Sequence, residues 1–189
     1  MLALVSVVLA VIFGAADQYL GSLPGHFGHF AWATDVSLLS APWLLLAFAA
    51  GATQRVARRA VLLGAAATMA ALGGYLLMTL SPTENAHLSV AAAVGFVRSD
   101  PLTFIGGMVT GPLFGWLGHR WRVDRYWCGA LIAVATLCLE PLAHLAVRRP
   151  IASSTVAYSE VIMGAALGLY VTVISLRRNS PSRGEPTAR

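Results

Sequence analysis

What most constrains this chain is a succession of apolar runs, each close to the length of a bilayer crossing and almost free of charge. They cover residues 2–16, continuing through Asp17, Gln18, Tyr19 and Leu20, then 36–52, 60–80, 102–118, 127–147 and 159–176. A helical crossing needs about 20 mostly apolar residues. Six such crossings consume most of the 189 residues and leave no room for a separate soluble domain. The composition agrees, with 57% hydrophobic and 11% charged residues, against about 25% charged in soluble domains. The expected fold class is all-α, an integral membrane helical bundle of six transmembrane helices. Residues 1–176 form a single transmembrane domain, and 177–189, polar and Pro-containing, form a disordered cytoplasmic tail. Residues 88–97 are apolar but too few to span, and read as a re-entrant or interfacial segment.

The net charge of +5 does not imply a nucleic-acid partner. Every basic side chain among the 13 is Arg, and most lie between apolar runs, where they report topology. Arg55, Arg58 and Arg59, then Arg120, Arg122 and Arg125, then Arg177, Arg178, Arg183 and Arg189 fall on one side if the spans number six. Arg98, Arg148 and Arg149 oppose them. Both termini are therefore expected in the cytoplasm. Asp17, Asp35, Glu84, Asp100, Glu140 and Glu160 then map to the outer half, and Asp124 and Glu185 to the inner side. Gly14, Ala15 and Ala16 ahead of Asp17 resemble the cleavage region of a secretory signal, but the basic n-region is absent; cleavage would leave five spans. Cys128 and Cys138 share one predicted helix, separated by about 15 Å of rise, too far for a disulfide; both read as reduced, buried thiols.

Ionisable groups inside a membrane are costly and mark functional candidates. Asp17, beside Gln18 and Tyr19, is one, although it also suits a helix end facing headgroups. Glu140, in CLEPLAH, has apolar neighbours on both sides, with Pro141 next to it and His144 one turn on along the same face. A carboxyl held in oil is a potential proton donor; a Glu140–His144 pair bracing a kinked helix is the structural alternative. Glu160, after Tyr158 and Ser159, suits a helix first turn, yet helix packing can bring it beside Asp17 or Glu140, where adjacent acids titrate as a coupled pair.

His26 and His29, three apart, lack a third metal ligand at a recognisable spacing, and Phe27, Phe30 and Trp32 around them suit an interfacial belt. No metal site and no cofactor are expected. Trp43, Tyr75, Phe104 and Trp116 suit either a lipid face or a pocket wall. Gly107, Gly111 and Gly115, and Gly164 and Gly168, recur every four residues and read as close helix-packing faces, with homo-oligomerisation through them a further possibility. There is no P-loop, GxSxG or HExxH, and no aspartate-rich pair for magnesium-assisted diphosphate chemistry.

With AADQYLGS, PWLLLAFAAGATQRVARRA, GGMVTGPLFGWLGH, LEPLAH and SEVIMGAALG in view, the chain resembles a family of small multi-pass actinobacterial membrane proteins. A subset is similar to the membrane-bound, drimentine-type terpene cyclases of bacterial indole-terpenoid pathways. The resemblance implies acid-initiated, metal-independent cyclisation of a prenylated, farnesyl-type substrate. Chemistry of that kind needs a desolvated acid and a water-excluding pocket, with aromatic faces to stabilise positive charge. The expected site then comprises Asp17, Glu140 and Glu160 as catalytic acids, with Gln18, Tyr19, Trp32, Trp43, Tyr75, His144 and Tyr158 around the substrate. A small substrate-binding or proton-coupled transport component uses the same carboxylates and is the alternative. The expected partners are the lipid bilayer and a hydrophobic prenylated small molecule.

Overall fold

The computed structural model describes residues 1–124, 127–146 and 154–179, with side chains described up to 142 and 174 in the last two of these helices. The described residues form eight α-helices and one 3-10 turn: α1 (Leu2–Phe27), α2 (Ala31–Ser37), α3 (Ala41–Ala52), α4 (Ala57–Thr79), the turn Pro82–Glu84, α5 (Val90–Ser99), α6 (Pro101–Val123), α7 (Trp127–Ala146) and α8 (Ser154–Asn179). Three of them, α1, α4 and α8, are long and apolar enough to cross a membrane, and a bent α2–α3 pair makes a fourth. α6 is long enough at 23 residues, but its glycines, threonines and late arginines dilute its apolar character. α8 runs three residues past the expected domain boundary at 176; the rest of the tail lies outside the described residues.

Residues 36–52 do not form one straight crossing. The helix breaks between Ser37 and Ala41, and its halves meet at 47°. Pro42 sits in the first turn of α3, where its missing N–H costs nothing, whereas a continuous helix would drive its ring into the Leu38 carbonyl. The first helix also extends past Leu20, where the apolar run is expected to end. α1 continues to Phe27 and closes on Gly28, which is left-handed (φ 67°) and donates its N–H to the Pro24 carbonyl.

α4 is the central helix, packed on α1, α3 and α6, while α7 and α8 form a pair joined to the rest through α3 and α6. Small residues make these crossings. A Cβ on Gly14 would lie 1.8 Å from the Ala71 carbonyl oxygen, and one on Gly74 would lie 2.0 Å from that of Val11. Between α4 and α6, Gly64 faces Gly111 and Gly115; on the other side of α6, Gly51 and Gly118 meet the backbones of Gly115 and Phe48. The core beside them is largely alanine: Ala10, Ala50, Ala67 and Ala71 surround Leu63. Helices in lipid associate through such backbone contact because no hydrophobic drive separates helix from tail.

The outward faces are apolar. Leu4, Val8, Leu9 and Ile12 of α1, Ile105, Met108 and Val109 of α6, and Ile162, Met163 and Leu169 of α8 are all exposed. A surface of this kind suits acyl chains better than water. Gly164 and Gly168 pack on Cys138 and Val134 of α7, so this glycine face joins two helices of the chain, the packing role its spacing suits. Cys138 is half-buried there and Cys128 is exposed, so they are not both buried as expected.

Candidate functional site

The two ends of the bundle differ in charge. At one, Arg122 donates to the Ala52 carbonyl at the C-terminus of α3 (2.8 Å), and the buried His119 ring meets the Gln54 carbonyl (3.1 Å). These contacts bring Arg55, Arg58 and Arg59 to the same end as Arg120 and Arg122, as the arginine pattern requires; Arg125, Arg148 and Arg149 lie outside the described residues. Asp17, Asp100 and the N-terminus of α3 gather at the opposite end.

There a cavity of about 510 Å³ opens between α1, α3, α4, α5 and α6. Its wall is mostly apolar, with Leu38, Leu39, Leu44 and Leu72 among the lining residues. Asp17 reaches it from α1, only 7% exposed, with the Trp43 side chain within hydrogen-bonding reach of its carboxyl. Four aromatic rings follow one another along the wall. Trp43 and Tyr75 are 6.1 Å apart between centroids, Tyr75 and Phe96 6.0 Å, and Phe96 and Phe104 6.0 Å in an edge-to-face pair. Phe13 braces the outer side of Trp43 at 5.4 Å. Thr68, Thr103, Thr110 and Ser40 supply hydroxyls. Asp100 also lines the cavity, but its carboxylate caps α6, accepting from the Thr103 hydroxyl at 2.5 Å.

The other two expected acids form a different constellation. Glu140 reaches from α7 to the N-terminus of α3, where its two oxygens accept the backbone N–H groups of Ser40 and, at 2.7 Å, Ala41. Those are donors that helix geometry leaves without partners, and a carboxylate also complements the positive end of the helix. Glu160, 1% exposed, faces Glu140, although neither of its oxygens meets a partner at ordinary hydrogen-bond geometry among the described residues. Because α8 begins at Ser154, Glu160 lies in the second turn and not in the first, which removes the expected capping role. Neither acid is among the described residues that line the cavity, although Ser40, whose N–H Glu140 accepts, does line it.

Of the residues expected around a substrate, Trp43 and Tyr75 line the cavity and Gln18, Tyr19, Trp32 and Tyr158 do not. Tyr19, Trp32 and Tyr158 are 40%, 49% and 70% exposed on the outer surface, where amphipathic rings suit the headgroup region. Gln18 follows Asp17 by 100° of helical turn and so points away from it. The His144 side chain lies outside the described residues. Sequence reasoning missed Phe96, Thr68, Ser40 and Asp100. Phe96 belongs to the short apolar segment, which becomes a wall only because α5 folds back beside α4 and α6.

The Glu140 arrangement makes a stability prediction. Glu140→Ala leaves two backbone N–H groups without acceptors and is expected to cost about 3 kcal/mol. Glu140→Gln, which keeps one oxygen, is expected to cost about half as much. Urea unfolding in detergent measures both; equal, negligible losses would show that the contact does not hold α3.

No family model matches the sequence, and neither a curated protein nor a solved structure matches the chain.

Proposed function

We propose that this is a multi-pass membrane protein in which α1, the broken α2–α3 pair, α4, α6, α7 and α8 each cross the bilayer. Both termini lie with the arginines on the cytoplasmic side, and α5 is a half-segment at the outer end. Within it, we infer a metal-independent cyclase that acts on a prenylated, farnesyl-type substrate, with Asp17 as the general acid. The observation that carries this reading is a buried carboxyl on the wall of a mostly apolar cavity, beside a run of aromatic faces.

The Asp17 O–H delivers its proton to the CH carbon of the terminal alkene, whose π pair forms the new C–H bond, or to an epoxide oxygen as its C–O bond opens, leaving a tertiary carbocation. The next alkene donates its π pair to that centre and closes a ring. A proton then leaves the final cation to ionised Asp17, restoring the acid, or to Asp100, from which it returns to Asp17 before the next turnover, so that product and substrate have equal mass. Trp43, Tyr75, Phe96 and Phe104 present ring faces that stabilise the migrating charge, and the leucines keep water from trapping it. Glu140 acts at one remove, fixing the end of α3 that carries Trp43. Because the cavity lies at the end away from the arginines, the substrate reaches it sideways from the bilayer.

Incubation with a farnesylated indole in detergent, with a chelator present, tests the reaction. A product of unchanged mass and altered retention is expected; none would overturn the assignment. Arg58→Ala, at the other end of the bundle, is expected to leave the rate unchanged, and a dead variant would contradict the topology.

One observation favours a second reading. A helix broken at Ser37–Ala41, with acids at the break, is the form in which many transporters build ion and substrate sites. On that reading Glu140 and Glu160 carry protons coupled to movement of a substrate through the cavity. Flux in proteoliposomes without any chemical change to the substrate is its signature.

A further inference from the structure

The same cavity has an electrostatic preference that does not depend on any reaction. Two carboxyl groups, those of Asp17 and Asp100, stand on its wall with four aromatic rings, and no Arg or His is among its described lining residues. Asp100 is engaged by Thr103. Asp17 is nine-tenths buried, on an apolar wall, and its neighbour Trp43 is uncharged. Once Asp17 has given up its proton, a positive charge in this space meets an anion and the negative faces of aromatic rings, both sheltered from water, where each attraction is stronger than in solution. A neutral hydrocarbon of the same shape would gain only apolar contact. The volume of about 510 Å³ falls within the range of small-molecule sites, roughly 300–1,000 Å³.

We infer that the cavity is a binding site for lipophilic ammonium ions, a tertiary or quaternary amine on a branched apolar tail, with the nitrogen held between Asp17 and the rings of Trp43 and Tyr75. The inference rests on the cavity assigned above and names the ligand class that its charge selects. For a cyclase such an ion imitates the carbocation; for a carrier it is the cargo.

The test is equilibrium binding of N,N,N-trimethylfarnesylammonium and of its neutral isostere, with carbon in place of nitrogen, to the full chain in lipid nanodiscs, with empty nanodiscs subtracted. The ammonium ion is expected to bind at least about tenfold more tightly. Asp17→Asn is expected to reduce that preference to the few-fold that the ring faces alone supply, and Trp43→Leu to reduce it several-fold. Equal binding of the two probes to the unaltered protein, a comparison that needs no variant, overturns the inference. A preference undiminished in Asp17→Asn overturns it as well. Turnover of a farnesylated indole, run in parallel, separates this claim from the cyclase: selective binding without turnover sinks the cyclase alone, and turnover without selective binding sinks this inference alone.

Discussion

Asp17→Asn is expected to cut turnover of a farnesylated indole by at least about 100-fold, the lower end of what a positioned general acid contributes, while the protein still folds and extracts normally. The amide has nearly the shape of the acid and can still meet Trp43, but it has no acidic proton to give an alkene. Of the three acids that sequence reasoning nominates, Asp17 alone lines the cavity. Glu140 is committed to the end of α3, so Glu140→Gln is expected to lower rate only as far as it loosens that end. The ratio between the two variants is therefore the informative quantity. A Glu140→Gln protein that is stable yet inactive, beside an active Asp17→Asn, would move the chemistry to the Glu140–Glu160 pair. Removing a ring has a separate signature. Tyr75→Leu deletes one aromatic face and is expected to reduce the rate by roughly tenfold, in line with a desolvated cation–π contact of about 1–2 kcal/mol, and to diversify the products, since a less sheltered cation is quenched earlier.

Much of this arrangement is legible in the sequence, for reasons of length and spacing. Apolar runs locate the long helices because lipid requires both length and hydrophobicity of a crossing. Glycines four apart in GMVTGPLFG mark the packed face of α6, because only a residue without a side chain lets two backbones approach so closely. Arginines between runs bring the α3–α4 turn and the end of α6 together. What escapes is whatever depends on a partner far along the chain. The break in the 36–52 run is hinted at by Pro42, yet it is fixed by Glu140, about 100 residues away. Glu140 itself shows in sequence only as a carboxyl in an apolar stretch, suited to proton transfer or to pairing with His144; the orphan N–H groups it meets belong to another helix. Phe96 had no signal, because its segment's apolar character fits membrane interface and cavity wall alike. Tyr19, Trp32 and Tyr158 show the same ambiguity in reverse, since they are exposed and do not line the cavity.

Gly115→Val is expected to destabilise the bundle by about 3 kcal/mol or more, at the upper end of overpacking costs, and to abolish turnover with it. Gly115 sits where α6 passes between α3 and α4. A Cβ there would lie 2.5 Å from the Ala60 carbonyl oxygen and 3.0 Å from the Gly64 Cα, and Gly115 in turn presents the carbonyl against which Gly51 packs. Every one of these neighbours is backbone, so no side chain can rotate aside and two helices must part. Gly73→Val on α4 provides the contrast, since a Cβ there meets nothing within 4 Å, and it is expected to leave thermal stability in detergent within about 0.5 kcal/mol of the parent. The loss at Gly115 reaches the site because the cavity wall is the continuation of the same interface. Thr68 and Leu72 of α4 and Gly107 and Thr110 of α6 line it, one to two turns further along. Separating α4 from α6 at Gly115 therefore widens the gap beside Tyr75 and admits lipid or water to Asp17. A Gly115→Val protein that melts with the parent would mean that these helices do not touch backbone to backbone. The cavity would then have no fixed wall on that side, and a buried acid next to it would have no means of holding a carbocation away from water.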